Sequence, residues 1–173
     1  FSTSNIQMYD YIVIGGGIIG VSTALSLITK QPDKRILLVE KEKTFAQHQT
    51  GHNSGVIHAG VYYQPGSLKA KFCREGLKET INFCSLHQIP YQQCGKLLVA
   101  TNDIELNRMN ELYERCRANE IEVEILDQNQ LTEIEPNVQG IGALLVKSTG
   151  IVNYKLITNK MSEQYEAMGG DYL

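Results

Sequence analysis

Short apolar runs and a segment of helical periodicity alternate near the start of the chain. The runs are Tyr11–Ile14 and Ile36–Val39, and apolar positions at helical spacing occupy residues 21–28 between them. Short, continuous apolar runs are typical of strands that are buried on both faces of a parallel sheet. Because two parallel strands need a long crossover connection, usually a helix, the opening pattern predicts a βαβ unit.

A long amphipathic helix is predicted next, from Leu68 to about residue 87, with Ser67 as its N-cap. After Pro90 the pattern changes to strands with one polar face, separated by short helices. The strands are predicted at residues 91–100, at 140–146 and at the alternating apolar positions Ile121, Val123 and Ile125. This alternation favours an antiparallel α+β module over a continued parallel sheet.

The change of pattern places a domain boundary near residue 89. We predict one domain from residues 1–88 and 150–173, and an inserted second domain that starts with residues 89–149. A helix is predicted at 154–168, and residues 171–173 resemble the first residues of another strand, so we expect the chain to be a fragment. The predicted fold class is α/β, with a Rossmann-like domain and an inserted α+β domain.

Composition excludes several classes of protein. The chain has 173 residues, of which 42% are hydrophobic and 20% charged, as in ordinary globular proteins. A net charge of −3 argues against nucleic acid as a partner. No apolar run has the length of a membrane span, and residues 1–5 show no targeting signal. The four cysteines form no Cys-x-x-Cys pair and are too few for a disulfide framework, so we expect reduced thiols. We therefore expect a cytoplasmic protein.

Glycines follow the first apolar run at positions 15, 17 and 20, which is the Gly-x-Gly-x-x-Gly spacing of dinucleotide-binding turns. Gly15 is expected to allow the turn, Gly17 the approach of a pyrophosphate, and Gly20 close packing of helix and strand. Glu40 ends the second run, where the pattern has an acid for a ribose hydroxyl. The alternative is a strand-to-helix turn that binds nothing.

Residues 47–60 form a second informative stretch, in which His48, His52 and His58 lie among glycines and short polar residues. No thiol or carboxylate completes a tight zinc set with these histidines, so no metal site is predicted. A merely polar surface loop is one alternative. The functional interpretation is a loop that offers backbone amides and short polar side chains to the cofactor.

These stretches together resemble the D-amino-acid-oxidase-like FAD-dependent oxidoreductases, and within them the branch that oxidises L-2-hydroxyglutarate. The block Gly-His-Asn-Ser-Gly-Val-Ile-His at 51–58 is the most specific part of the resemblance. This block lies within residues 50–63, and the remaining parts are residues 9–20, Glu40, 67–71, 91–97 and 149–154. The resemblance covers nearly the whole chain, but such enzymes are more than twice as long.

The resemblance implies FAD as the bound dinucleotide. The glycines would lie at its pyrophosphate, Glu40 at the adenosine ribose, and residues 50–55 along the phosphates and flavin. The full set of expected cofactor-binding residues is Gly15, Gly17, Ile18, Ile19, Gly20, Glu40, Lys41, Thr50, His52, Asn53, Ser54 and Gly55.

The implied reaction oxidises L-2-hydroxyglutarate to 2-oxoglutarate by hydride transfer to the flavin, which oxygen or a quinone then reoxidises. His58 is the candidate for the base, because an imidazole titrates near neutral pH. The alternatives for His58 are a core histidine satisfied by the backbone and a covalent link to flavin. The dicarboxylate substrate calls for cations, for which Lys96 is a candidate, whereas Lys69, Lys71 and Arg74 are better explained by a solvated helix face.

Other functions stay open from the sequence alone. Within flavoenzymes these are a related amine or amino-acid oxidase and a glycerol-3-phosphate dehydrogenase. A nicotinamide dehydrogenase and a non-catalytic FAD-binding fragment are the further alternatives. Besides the small dicarboxylate, the expected partners include a quinone, with peripheral attachment to the inner membrane as the alternative to a purely cytoplasmic location.

Overall fold

The computed structural model describes residues 8–173, so residues 1–5, in which no targeting signal was predicted, lie outside the described part. The described residues divide into two compact units, residues 8–54 with Asn153–Leu173, and Gly55–Val152. Along the chain the elements are β1 (Tyr11–Ile14), α1 (Ile18–Lys30), β2 (Ile36–Val39), β3 (Val56–Ile57), α2 (Leu68–Leu86), β4 (Tyr91–Gln92), β5 (Lys96–Ala100), α3 (Asp103–Ala118), β6 (Glu124–Asp127), α4 (Gln128–Ile134), β7 (Gly142–Val146), β8 (Gly150–Val152), α5 (Tyr154–Ala167) and β9 (Asp171–Tyr172).

The first unit is built on a parallel sheet of order β1-β2-β9. α1 connects β1 to β2, as the apolar pattern predicts, and packs against both β2 and α5. Apolar side chains of α1, β2 and α5 form one buried core, which comprises Val21, Ala24, Ile28, Ile36, Leu38 and Tyr165. The Rossmann-like βαβ start and the strand predicted at residues 171–173 are confirmed.

The second unit contains two antiparallel sheets, of order β3-β8-β4 and β5-β7-β6. α3 packs on β5 and β7, and α4 packs on β6 and β7. Buried residues at these contacts include Met109 of α3, Leu131 of α4 and Leu144 of β7. The predicted antiparallel α+β module is therefore confirmed.

The strand predicted over Ile121–Ile125 is displaced toward the C-terminus. β6 starts at Glu124, and its inward residue is Leu126, which is 2% exposed, whereas Ile125 is 47% exposed. The amide of Ile121 donates to the carbonyl oxygen of Cys116 at 2.9 Å, and Glu120 has φ +57. Residues 119–121 thus end α3 instead of opening the strand.

The compact units divide at 54/55 and 152/153, whereas the sequence pattern places the domain boundaries at 88/89 and 149/150. The difference arises because β3 pairs with β8, with Val56 opposite Ile151, so the chain from Gly55 to residue 88 belongs to the second unit. Which unit serves the cofactor and which the substrate stays a prediction. None of the helices in residues 8–173 has the length and apolar character needed to cross a membrane.

Candidate cofactor and substrate site

The chain turns sharply between β1 and α1. Gly15 has φ +106, a conformation that side chains with a Cβ rarely adopt, and its amide donates to the carbonyl oxygen of Val39 at 2.7 Å. A Cβ added at Gly20 would lie 1.8 Å from the carbonyl oxygen of Gly15. The two glycines therefore provide the turn and the close packing of helix and strand that the sequence predicts for them.

Glu40 lies at the glycine turn. Its Oε2 accepts a hydrogen bond from the amide of Gly16 at 2.6 Å, and its Oε1 accepts one from the amide of Glu42 at 3.0 Å. These two amides, that of Glu42 foremost, hold the pKa of the Glu40 carboxyl below its usual range. An ionised acid is thus held beside the start of α1, where the sequence predicts the ribose ligand.

The N-terminus of α1 is capped from a distant loop. Gly17 occupies the N-cap position and offers no side chain, and the amide of Ile18 instead donates to Thr50 Oγ1 at 3.0 Å. A hydroxyl that accepts one hydrogen bond keeps its own hydrogen for another acceptor. Since the first turn of α1 carries no acidic residue, this end of the helix has the field and the donors that favour an anion.

The loop that carries Thr50 is held by hydrogen bonds of its own polar side chains. Asn53 Nδ2 donates to the carbonyl oxygens of Gln49 at 3.0 Å and Thr50 at 2.8 Å. His52 Nδ1 lies 3.0 Å from the carbonyl oxygen of His48. Two residues of the predicted cofactor set, His52 and Asn53, therefore contribute to the conformation of the loop.

Glu42 connects this loop to the end of β2. Its Oε1 lies 2.8 Å from His48 Nε2 and 3.1 Å from the ammonium nitrogen of Lys41. The hydrogen bonds from His48 and Lys41 lower the pKa of the Glu42 carboxyl. Lys41, predicted at the cofactor, is thus paired with Glu42.

Residues 8–173 contain no cluster of three or more His, Cys, Asp or Glu side chains arranged for a metal ion.

Gly55 and His58 belong to the second unit. Gly55 has φ +69, and its carbonyl oxygen accepts from the amide of Val152 at 2.8 Å. The carbonyl oxygen of His58 accepts from the thiol of Cys73 at 3.2 Å, but the imidazole is exposed and forms no hydrogen bond within the described residues. The alternative of a core histidine satisfied by the backbone is therefore wrong.

A cavity of about 120 Å³ lies beside His58 in the second unit. It is lined by His58, Ala59, Gly60, Val61, Tyr62, Tyr63, Lys96 and Thr149. The ammonium nitrogen of Lys96 lies 3.5 Å from the hydroxyl oxygen of Tyr62 and 4.9 Å from the centre of its ring. A titratable imidazole and a cation therefore share one small cavity.

Several of these contributions escape sequence reasoning. The amide of Gly16 binds Glu40, Glu42 anchors the loop, and Tyr62 holds Lys96. The triple glycine signals a turn but does not show which amide meets the acid. Each of the three contacts depends on the fold for its partner, so no local spacing reveals it.

The family of the chain follows from its similarity to known proteins. A model of the "FAD dependent oxidoreductase" family, DAO, matches residues 10–173. The chain belongs to this family, whose cofactor is FAD. That assignment agrees with the Rossmann-like first unit and with the glycine turn at the start of α1.

Within the family, the chain is similar to L-2-hydroxyglutarate dehydrogenases. It is 55% identical to that of Escherichia coli strain K12 over 96% of this chain and 39% of the bacterial protein. It is 46% identical to the mitochondrial enzyme of Mus musculus over 92% of this chain and 35% of the mouse protein. The chain thus spans well under half the length of these curated relatives.

Solved structures agree with the fold. An FAD-bound L-α-glycerophosphate oxidase from Mycoplasma pneumoniae superposes with a TM-score of 0.87 at 27% identity, over 97% of this chain and 45% of that chain. A glycine oxidase from Geobacillus kaustophilus superposes with a TM-score of 0.84 at 18% identity, over 95% and 46% of the two chains. The second likeness concerns the fold alone.

Proposed function

We propose that the protein carries out the FAD-dependent oxidation of L-2-hydroxyglutarate to 2-oxoglutarate. The observation that carries the proposal is the 55% identity to the bacterial L-2-hydroxyglutarate dehydrogenase, which extends over 96% of this chain. The glycine turn, the ionised Glu40 and the exposed His58 beside a cationic cavity are consistent with this function.

The residues at the start of α1 fit the cofactor. The helix N-terminus lacks an acidic side chain, and Thr50 presents a hydroxyl there. Of the amides in this turn, those of Gly17, Ile19 and Gly20 donate to neither Glu40 nor Thr50. We propose that these three amides and the Thr50 hydroxyl hold the pyrophosphate, and that Glu40 accepts the ribose hydroxyls. The other residues of the predicted set, including Ile19, Lys41 and Ser54, stay predictions for the same cofactor.

The oxidation removes a hydride from C2 of the hydroxy acid and a proton from its hydroxyl, so that a carbonyl forms. FAD, when bound, supplies the acceptor for the hydride. We propose that His58 takes the hydroxyl proton, because its imidazole is exposed, unpaired within the described residues and next to the cavity. The backbone at His58 is held in place, since its carbonyl oxygen accepts a hydrogen bond from the thiol of Cys73.

The test is an assay of the purified full-length protein with several substrates and an artificial electron-accepting dye. We expect turnover of L-2-hydroxyglutarate without a requirement for NAD. We also expect the protein to show the absorption spectrum of flavin, and acid precipitation to release that flavin into solution. L-Glycerol 3-phosphate, glycine and D-amino acids are the competing substrates. A preference for any of these would replace the proposed substrate, and bound flavin without turnover of any substrate would favour a non-catalytic FAD-binding role.

The final electron acceptor is a separate part of the proposal. We propose that oxygen or a quinone receives the electrons, with the protein in the cytoplasm or peripherally attached to the inner membrane. Oxygen uptake during turnover, compared with reduction of a quinone embedded in phospholipid vesicles, distinguishes the two acceptors. Sedimentation of the protein with those vesicles tests the attachment.

A further inference from the structure

The structure separates the four cations that the sequence offers for an acidic substrate. Arg74 is paired with Glu120, and the ammonium nitrogen of Lys71 lies 3.9 Å from Glu75 Oε1. Lys69 is exposed on α2 and does not line the cavity beside His58. Only Lys96, of these four, lines that cavity.

Lys96 has no acidic partner among the residues that the structure describes. Within residues 8–173 it forms no ion pair with a carboxylate, and no acidic side chain lines the cavity. Its neighbours are the hydroxyl and the ring face of Tyr62, which orient an ammonium group without neutralising it. A half-buried cation without a counter-charge is a receptor for an anion.

The walls of the cavity are held in place. Lys96 opens β5, and the amide of the preceding Gly95 donates to the carbonyl oxygen of Thr149 at 2.9 Å. At Tyr63, which also lines the cavity, Asn119 Nδ2 donates to the carbonyl oxygen at 2.8 Å. Anchored backbone on both sides keeps the ammonium group and the imidazole of His58 in one cavity before any ligand binds, which lowers the cost of binding.

We propose that Lys96 is a specificity-determining residue that binds a carboxylate of a 2-hydroxy dicarboxylate substrate, and that Tyr62 positions its ammonium group. The inference rests on the proposed function, because it assigns a receptor to the substrate of the same cavity. The proposed role of Lys96 also explains how a chain of net charge −3 accepts an anionic ligand in this cavity. The net negative charge of the chain mildly disfavours an anion, but salt screens this long-range effect. The nearby cation therefore outweighs it.

The experiment compares variants of the full-length flavin-loaded protein in binding and in turnover. Glutarate, a dicarboxylate without a hydroxyl to oxidise, is titrated by calorimetry, and kcat/KM is measured with L-2-hydroxyglutarate. For Lys96→Met we expect the Kd for glutarate to rise, and kcat/KM to fall, about 10- to 100-fold, since a charge-assisted hydrogen bond is lost. Lys96→Arg keeps a cation and should stay within about fivefold of the wild type.

Lys69→Met is the matched control, because it makes the same change of charge outside the cavity, and we expect wild-type binding from it. Tyr62→Phe should weaken glutarate binding about threefold through the lost hydroxyl. Flavin absorbance and circular dichroism verify the fold of each variant, and Lys96→Gln replaces Lys96→Met if the latter does not fold.

The outcomes separate the two proposals. Equal glutarate affinity in Lys96→Met, Lys69→Met and the wild type would overturn the role of Lys96, even if L-2-hydroxyglutarate is a good substrate. A wild-type protein that binds glutarate through Lys96 but oxidises a different hydroxy diacid would overturn the proposed substrate and leave the carboxylate receptor intact.

Discussion

At the scale of single residues, the candidate cofactor site depends on side chains that bind backbone amides. Thr50 binds the first amide of α1, and Glu40 binds the amide within the triple glycine. Both contacts satisfy donors that a glycine-rich turn cannot satisfy by itself. Their loss should therefore affect the cofactor and the local fold together.

Replacement of Thr50 by Val removes the acceptor for the amide of Ile18, with almost no change in side-chain shape. It also removes the hydroxyl that we propose for the phosphate. We expect FAD affinity to fall about 10-fold, because a hydrogen bond to a charged phosphate contributes about 1.5 kcal/mol. Quenching of FAD fluorescence by the apoprotein measures this. Thr50→Ser keeps the hydroxyl and should bind as the wild type does.

Glu40 should make the protein sensitive to acid. Because its pKa is lowered in the folded state, its contribution to the free energy of unfolding is present above its ordinary value of 4.5 and is lost as pH falls through the lowered pKa. In Glu40→Gln this part of the acid dependence should be absent. Unfolding in urea at a series of pH values from about 6 to 3 measures the difference, and equal slopes for both proteins would contradict it.

His58 should be needed for turnover if it is the base. We expect kcat/KM of His58→Gln to be lower by about 10²- to 10⁴-fold. Flavin content serves as a control that should change little. Wild-type turnover in this variant would assign the base elsewhere.

At the scale of elements, the starts of helices depend on contacts between nearby residues, and the N-cap predicted at Ser67 is confirmed. Ser67, Asn102 and Asp127 are the N-caps of α2, α3 and α4, and each accepts a hydrogen bond from an amide three residues later. In α4 the side chain of Gln130 also binds the amide of Asp127, which completes a capping box. Such contacts lie within one turn, so the spacing of residue types is enough to reveal them.

The capping box of α4 provides a stability test away from the cavity. Because α4 has only seven residues, it depends on this cap and on buried Leu131. We expect Asp127→Ala to lower the free energy of unfolding by about 1 kcal/mol, with Asp127→Asn close to the wild type. Urea unfolding of the full-length protein measures both, and flavin content should not change.

At the scale of the whole molecule, each unit has long-range contacts that no single element contains. In the first unit the hydroxyl of buried Tyr165 lies 2.7 Å from the carbonyl oxygen of Ile36 and 2.9 Å from that of Asp171. This side chain of α5 therefore connects two neighbouring strands of the parallel sheet. Burial, and to a lesser extent the charge of Asp171, raises the pKa of Tyr165 to about 12.

We expect Tyr165→Phe to lower the free energy of unfolding by about 1–2 kcal/mol, because the buried carbonyl oxygens lose their hydroxyl partner. The raised pKa adds a dependence on alkaline pH. The contribution of Tyr165 is complete below its ordinary value of 10.0 and is lost as pH rises toward about 12. Unfolding measured between these pH values should depend less steeply on pH in Tyr165→Phe than in the wild type.

The sequence by itself determined the βαβ opening, the turn at Gly15, the helix caps and the antiparallel character of the later strands. These features follow from hydrophobic periodicity and from backbone preferences, which act between neighbouring residues. The family resemblance also came from the sequence, since it depends on residues 51–58 and similar short blocks. One local inference failed at Ile125, because the end of α3 shifts the inward face of β6 by one residue.

Only the tertiary structure decided which residues meet. Glu40 reaches Gly16 across 24 positions, Thr50 reaches Ile18 across 32, and Lys96 reaches Tyr62 across 34. It also exposed His58 at a cavity and divided the chain after Ser54. The type of a side chain suggests an acid, a hydroxyl or a cation for a site. The residue that this group contacts depends on how distant strands and loops pack, and a short stretch of sequence does not contain that information.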